Sequence, residues 1–122
     1  MTLLWIALGG AAGSVTRYLL GSWLTARVGA GFPWATLAIN ITGSFLLGLL
    51  YAVGRERLPE PVRLGLGVGV LGGFTTFSTF SVELLQLLAR GQSAQAAGYA
   101  AASLLFGVLA AAAGAALGSR WS

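Results

Sequence analysis

The sequence predicts an all-α membrane protein of four transmembrane helices. Of its 122 residues, 57% are hydrophobic and only 8% are charged, whereas a water-soluble domain of this size carries about a quarter of its residues as charged side chains. Four apolar stretches each supply the roughly 20 residues that a helix needs to cross a hydrocarbon core about 30 Å thick. The breaks between them are short, so residues 1–122 are predicted to form a single transmembrane domain.

The predicted spans cover about residues 2–26, 33–54, 62–89 and 95–119. Pro33 and Pro61 are predicted to open the second and third spans, since proline suits the first position of a helix. Ser93 is predicted to cap the fourth helix. Apolar runs of this length, without alternation, argue against a β-barrel. The first run lacks a cationic segment and a cleavage pattern, so we expect it to be retained as a span.

Charge and composition exclude several functions. The seven arginines and three glutamates give a net charge of +4, but they are scattered, so no nucleic-acid partner is predicted. Cysteine and histidine are absent, which removes thiolate chemistry and the usual transition-metal ligands. No nucleophile–base pair or phosphate-binding loop appears, so the chain is not predicted to be an enzyme.

The arginines at the span ends give only a weak orientation signal. Four lie on the side of the termini and two on the other: Arg55, Arg57, Arg63 and Arg120 against Arg27 and Arg90. This split is compatible with termini inside, and also with insertion in both directions followed by head-to-tail pairing.

Glycines recur at the spacing that lets transmembrane helices approach closely. The GxxxG pairs are Gly9/Gly13, Gly65/Gly69, Gly69/Gly73 and Gly114/Gly118. Tight helix packing is therefore predicted. Four short helices hardly enclose a pathway on their own, so a transport function would require at least a dimer.

A polar stripe runs along the second span. Thr36, Asn40 and Ser44 follow one another at i, i+4 spacing and so share one helical face. Thr36 and Ser44 leave open a role in a pathway or simple hydrogen bonding between helices. Asn40 has two amide donors and lies about 10 Å into the helix. Because buried polar groups in membranes are commonly functional, Asn40 is predicted to have a functional role.

The third span is predicted to be broken at mid-membrane, within residues 72–81. Two glycines there precede a run of β-branched, hydroxyl and aromatic residues, and these weaken helical structure. Irregular backbone at this depth is tolerated where it is buried in protein or lines a cavity, and its freed carbonyls can coordinate a hard cation such as Na⁺. The alternative is a kink that glycine permits for packing.

Donor groups surround two rings in this segment. Phe77 and Phe80 are at i, i+3 spacing, and Ser78, Thr79 and Ser81 supply hydroxyls. The positive edge of a phenyl ring can face a small anion, while hydroxyl donors replace part of its hydration shell. Fluoride, the small and hard halide, suits this chemistry best.

Three further polar residues lie on other parts of the spans. Tyr99 and Ser103 form a donor-bearing face in the fourth span, at i, i+4 spacing. Arg17 lies inside the first span, where a charge costs about 2.5–3.5 kcal/mol on insertion scales. Arg17 either attracts anions to a vestibule or snorkels to the interface beside Tyr18. Glu83, near the end of the third span, is expected to reach solvent or to lie at a pathway mouth.

The sequence resembles the CrcB/Fluc family of fluoride channels through three motifs along most of its length. They read Gly9-Gly10-x-x-Gly13-x-x-x-Arg17-Tyr18, Thr36-Leu37-x-x-Asn40-x-x-Gly43-Ser44-Phe45, and Gly72-Gly73-Phe74-Thr75-Thr76-Phe77-Ser78-Thr79-Phe80-Ser81-x-Glu83. The third motif is the most specific of the three.

The resemblance implies a fluoride-selective channel that gives passive export of fluoride across the bacterial cytoplasmic (inner) membrane. It implies an antiparallel, dual-topology homodimer with two pores. A structural Na⁺ at the dimer centre would be held by the main-chain carbonyls of Gly72 and Thr75. Arg17 and Glu83 would lie at the vestibule. The implied pore-lining residues are Asn40, Phe77, Ser78, Thr79, Phe80, Tyr99 and Ser103.

Two alternatives stay open. A small proton-coupled multidrug exporter would need a titratable carboxylate deep in a span, whereas the first span holds none and Glu83 lies toward a helix end. A non-transporting assembly subunit would use the glycines and hydroxyls only to hold helices together. That second alternative leaves the helix break and the cluster of Phe, Ser and Thr residues unexplained.

Overall fold

The computed structural model describes residues 1–120, which are helical apart from short connections and contain no β-strand. Two long helices come first in the chain, and a third long helix is the last. Between them lies a third span built of four successive segments. The elements in chain order are α1 (Thr2–Val28), α2 (Trp34–Arg57), α3 (Glu60–Leu64), a π-helical segment (Gly65–Leu71), α4 (Gly72–Phe74), α5 (Phe77–Ala89) and α6 (Ser93–Ser119).

Four stretches of the described chain are long and apolar enough to cross a membrane, judged by length and composition. They are Thr2–Val28, Trp34–Arg57, Glu60–Ala89 and Ser93–Ser119. The prediction of an all-helical chain with four spans is confirmed, and each predicted boundary lies within three residues of the observed one.

The helix starts differ in detail from the predictions. Pro33 is not the first helical residue of the second span but the residue before it, and α2 begins at Trp34. Pro61 is the second residue of α3, which begins at Glu60. Both prolines still lie where a missing N–H leaves no helical hydrogen bond unmade.

The predicted cap at Ser93 is wrong by one residue. Gln92 is the N-cap of α6, without a side-chain cap hydrogen bond, and Ser93 is the first helical residue. The cause is the turn before it, where Gly91 has φ 74°. This turn directs the Gln92 N–H to the Leu87 carbonyl at 2.9 Å, which satisfies the C-terminal end of α5, and α6 begins directly after it.

Glycine brings helix backbones into direct contact at two interfaces. A Cβ atom on Gly9 or Gly13 of α1 would overlap the backbone carbonyl of Gly65 or Val70, respectively. On the other side of the molecule, a Cβ on Gly114 of α6 would overlap the Phe45 carbonyl of α2. Close approach through the glycine spacings is therefore confirmed, with α1 against the π-helical segment and α2 against α6.

A small buried cluster connects α5 to α2 and α6. Its buried members are Leu37, Leu87, Ala96 and Tyr99, and the partly buried residues packed against them include Phe32, Phe80 and Leu84. Leu87 and Tyr99 are fully buried. Most other large apolar side chains are exposed, as expected for helices whose solvent is lipid.

Candidate functional site

The third span loses its helical conformation at two threonines. α4 ends at Phe74, and α5 begins at Phe77. Between them Thr75 has φ −87° and ψ 156°, and Thr76 has φ −151° and ψ 125°, so both are extended. Threonine is β-branched and fits extended backbone well. These two residues are called the interruption below.

Asn40 binds the backbone of the interruption from the neighbouring helix α2. Its Oδ1 accepts a hydrogen bond from the Thr76 N–H at 2.9 Å. Its Nδ2 donates to the Thr76 carbonyl at 3.0 Å. In a continuous helix the Thr76 N–H would bind the carbonyl of Gly72 instead. The amide of Asn40 thus satisfies a backbone group that the helix itself leaves without its usual partner.

Arg17 binds the same region from α1. Its Nε donates to the Gly73 carbonyl at 3.1 Å, and the side chain is partly buried. In a continuous helix this carbonyl would accept the N–H of Phe77. Of the two sequence-based interpretations, snorkelling to the interface does not fit this contact, since the guanidinium is held against the third span.

Threonine hydroxyls complete the hydrogen bonds around the interruption. The Thr75 hydroxyl donates to the Leu71 carbonyl at 2.9 Å. The Thr76 Oγ1 accepts the Thr79 N–H at 3.3 Å and so caps α5. That N–H would bind the Thr75 carbonyl in a continuous helix. The N–H groups that would otherwise bind the carbonyls of Gly72 and Thr75 therefore point to Asn40 and Thr76.

The two phenyl rings of α5 lie close together but in different surroundings. The ring centroids of Phe77 and Phe80 are 5.8 Å apart, with planes inclined at 44°. Phe77 is 78% exposed in the single chain. Phe80 is partly buried and packs on Tyr99, with centroids 4.9 Å apart. The shared face predicted for the pair is consistent with this geometry.

Tyr99 and Ser103 are brought to different places. Tyr99 is fully buried, and its hydroxyl donates to Glu83 Oε1 at 3.1 Å. The Ser103 Oγ is buried and has no hydrogen-bond partner among the described residues. Tyr99 therefore links α6 to α5, whereas Ser103 offers an unused donor to the cavity described next.

Two cavities share Thr76 as a lining residue. The larger, of about 670 Å³, is lined by polar residues that include Arg17, Thr36, Thr79, Glu83 and Arg90. The smaller, of about 360 Å³, is lined by Asn40, Ser44, Phe77, Phe80 and Ser103 among others. Thr76 lines both cavities. The polar stripe of α2 thus runs from one cavity to the other, with Thr36 at the larger and Asn40 and Ser44 at the smaller.

Ser78, Ser81 and Tyr99 are the predicted donors that neither of these cavities includes. The Ser78 hydroxyl is exposed and lies 3.3 Å from the Thr76 Oγ1. The Ser81 hydroxyl donates to the Phe77 carbonyl of its own helix at 3.0 Å. In the single chain, the hydroxyls of Ser78 and Ser81 therefore contact residues at the start of α5.

Sequence reasoning missed the central position of Thr76. It contacts Asn40, caps α5 and lines both cavities. One signal could have found it, because threonine is a preferred N-cap directly before the first turn of a helix, where its hydroxyl accepts the N–H three residues later. Within residues 1–120 there is also no group of three or more His, Cys, Asp or Glu side chains that could hold a metal ion.

These features define a small multi-pass membrane protein in which two cavities with polar groups in their walls border an interrupted helix. Residues 4–115 match the family model described as CrcB-like protein, Camphor Resistance (CrcB). The chain belongs to this family.

Relatives that are named as fluoride channels align with most of the chain. A protein of Deinococcus radiodurans, named fluoride-specific ion channel FluC, is 57% identical over 96% of this chain and 94% of its own length. Proteins of the same name from Thermus thermophilus and Agrobacterium fabrum are 53% and 51% identical, over 85% and 93% of this chain and 83% and 92% of their own lengths. The resemblance is confirmed, as is the prediction that the chain is not an enzyme.

Proposed function

We propose that this protein is a fluoride-selective channel that exports fluoride passively from the bacterial cytoplasm through the inner membrane. The observation that carries the proposal is that Thr76 lines two cavities with hydroxyl, amide or guanidinium groups in their walls, and that the smaller one also contains the Phe77–Phe80 ring pair. Relatives at 51–57% identity that are named fluoride-specific ion channels support the choice of ion.

The proposed route begins in the larger cavity. Arg17 and Arg90 line it together with Glu83, and the two guanidinium groups would raise the local concentration of anions. Thr36 and Thr79 supply hydroxyl donors along the wall. This cavity would therefore act as the vestibule, with Glu83 limiting the excess of positive charge.

The ion would next pass the ring pair into the smaller cavity. Fluoride is a compact anion that accepts strong hydrogen bonds, so its water can be replaced by hydroxyl and amide donors. The unpartnered Ser103 hydroxyl and the second N–H of the Asn40 amide are such donors. Phenyl edges carry partial positive charge, so Phe77 and Phe80 would favour a small anion without binding it tightly.

The functional unit is proposed to be an antiparallel, dual-topology homodimer with two pores. A single chain leaves Phe77 78% exposed, although it borders the proposed route. An apolar groove of about 440 Å³ between α2 and the π-helical segment is also open in the single chain. A second copy that covers these surfaces would close the route from lipid on the remaining side.

A structural Na⁺ is proposed at the centre of the dimer, held by the carbonyls of Gly72 and Thr75. Carbonyl oxygens suit a hard monovalent cation. The two carbonyls fit this role as ligands, because the N–H groups that would bind them in a continuous helix donate to Asn40 and Thr76 instead. The ion would supply charge and crosslinking at the interface, and the backbone of the interruption would hold it.

Fluoride efflux from liposomes tests the proposal. The purified protein is reconstituted in Na⁺-containing buffer into vesicles loaded with potassium fluoride, valinomycin carries K⁺, and a selective electrode follows the fluoride. Matched vesicles loaded with potassium chloride measure selectivity. We expect rapid fluoride efflux with negligible chloride efflux. Absence of fluoride efflux from folded protein would overturn the proposal.

A pair of identical substitutions tests the ring pair. Phe80→Ile removes the ring that contacts both Phe77 and Tyr99, and it is expected to abolish fluoride efflux while the oligomeric state is kept. Phe106→Ile makes the same change at a half-exposed position of α6 and is expected to leave efflux unchanged. An assembly subunit would instead show loss of association for Phe80→Ile.

A further inference from the structure

We propose that Asn40 is a positioning residue that holds the third span interrupted, by binding both backbone groups of Thr76. This inference rests on the proposed function, and it assigns to Asn40 a task other than donating to the permeating ion. The interruption would then depend on a side chain of a different helix rather than on the local sequence of the third span alone.

The geometry of the amide carries the argument. Oδ1 accepts the Thr76 N–H at 2.9 Å and Nδ2 donates to the Thr76 carbonyl at 3.0 Å. An asparagine side chain that binds both the N–H and the carbonyl of one residue fixes the orientation of that residue, as a neighbouring β-strand would. This matches the extended dihedrals of Thr76, φ −151° and ψ 125°.

The Thr76 N–H donates to Asn40 and not to a carbonyl of its own helix. If the Thr76 N–H returned to the Gly72 carbonyl, α4 would gain a helical hydrogen bond and continue by one more residue. The Asn40 amide offers this N–H a competing acceptor of similar strength. Two consequences follow from one contact: the Gly72 carbonyl is kept from its helical partner, and Phe77 enters α5 in a fixed direction.

The surroundings of Asn40 leave its other donor available. Asn40 lines the smaller cavity with Ser44 and Ser103. One N–H of its amide is used on Thr76, and the second is not part of either hydrogen bond. Positioning the backbone and lining the route are therefore compatible, and experiments need to separate them.

Amide exchange at Thr76 measures the positioning role without any ion flux. The folded protein in micelles is labelled with ¹⁵N-threonine, and hydrogen exchange is followed by NMR at Thr76, with Thr42 in the middle of α2 as the internal reference. Asn40→Leu removes the acceptor at nearly constant volume. We expect the Thr76 N–H to exchange about tenfold faster, with Thr42 unchanged.

Two further variants isolate the cause. Asn40→Asp keeps an oxygen acceptor for the Thr76 N–H but loses the amide donor, so exchange at Thr76 is expected to stay within about threefold of the parent protein. Ser44→Ala removes a polar group from the same helix face and cavity without touching Thr76, and exchange is expected to be unchanged. If Asn40→Leu does not fold, Asn40→Ser, whose hydroxyl is too short to reach Thr76, replaces it.

The outcomes separate the two roles of Asn40. Faster exchange at Thr76 in Asn40→Leu, restored in Asn40→Asp, supports the proposal. Loss of fluoride efflux in Asn40→Leu with unchanged exchange at Thr76 would show that Asn40 acts only as a pore donor, and would overturn it. Failure of the channel proposal is recognised separately, because the parent protein would then show no fluoride efflux while its exchange pattern is still measurable.

Discussion

The two halves of the third span are attached to the rest of the molecule by different kinds of contact. The first half, residues 60–74, packs on α1 mainly through backbone atoms, where glycine allows carbonyl groups to approach without side chains between them, and the Arg17 side chain adds one hydrogen bond at Gly73. The second half, residues 75–89, is attached through side chains, with Asn40 on Thr76 and Tyr99 on Glu83 and Phe80.

This difference indicates which half is rigid and which can be adjusted. Contacts between backbones have no rotamers to change, so an added methyl group must move a whole helix. Side-chain hydrogen bonds can lengthen or exchange partners at a modest cost, typically about 0.6 kcal/mol in membrane proteins. The site is therefore built where the attachment is made of side chains. The following substitutions test the comparison.

The largest effect is expected at the backbone contact, for Gly13→Ala. The new Cβ would overlap the Val70 carbonyl and crowd the Phe74 backbone. We expect the free energy of unfolding to fall by about 3 kcal/mol or more, since neither backbone can give way. Denaturation of the purified protein in mixed micelles measures this change.

Gly10→Ala is the matched control in the same helix. Its Cβ would meet only the Gly69 carbonyl, at 3.9 Å, which is an ordinary contact. This variant is expected to be neutral or more stable by about 0.5–1 kcal/mol, because alanine favours the helix over glycine. Equal losses for both variants would contradict the distinction between the two positions.

An intermediate effect is expected for Tyr99→Phe. The variant keeps the ring contacts with Phe80 and Phe32 and loses the hydrogen bonds of the hydroxyl, of which the one to Glu83 is 3.1 Å long. We expect a loss of about 1 kcal/mol in the free energy of unfolding, measured in the same micelle assay. Tyr51→Phe, at an exposed tyrosine of α2, serves as the control and should be unchanged. If Tyr99→Phe lowered the free energy of unfolding as much as Gly13→Ala, the side-chain attachment of α5 would be as rigid as the backbone contacts.

The smallest effect on stability is expected for Thr76→Val. Valine has the shape of threonine and fits extended backbone, so the variant removes the cap on the Thr79 N–H and the 3.3 Å contacts of the Thr76 hydroxyl with the hydroxyls of Ser78 and Thr79. We expect a loss of about 0.5 kcal/mol, at the low end for an N-cap because the bond is 3.3 Å long.

Thr76→Ser keeps the hydroxyl and should match the parent protein. The fluoride-to-chloride ratio in the liposome assay is the second measurement, because the cap sets where α5 and its rings begin. A Thr76→Val variant that unfolds as readily as Gly13→Ala would show that the interruption is a rigid element.

Much of the architecture was predictable because it depends on local composition. The four spans follow from runs of apolar residues long enough for a bilayer, and the close approach of backbones follows from the glycine spacing. The irregular part of the third span was predicted within residues 72–81, and the extended residues are Thr75 and Thr76. The predicted N-cap at Ser93 was wrong by one residue. The start of α6 is set by the turn at Gly91, and the backbone geometry of this turn does not follow from the N-cap preference of serine.

The sequence by itself determined that the chain is a helical membrane protein and which residues are polar within its spans, since burial in lipid restricts both to a few patterns. Only the tertiary structure decided how those polar residues are used. Asn40 and Thr76 are far apart in the chain and are joined by two hydrogen bonds, whereas Tyr99 and Ser103, close in the chain, serve different surroundings. The reason is that a hydrogen bond between helices requires a particular rotation and depth of each helix, and these are set by packing.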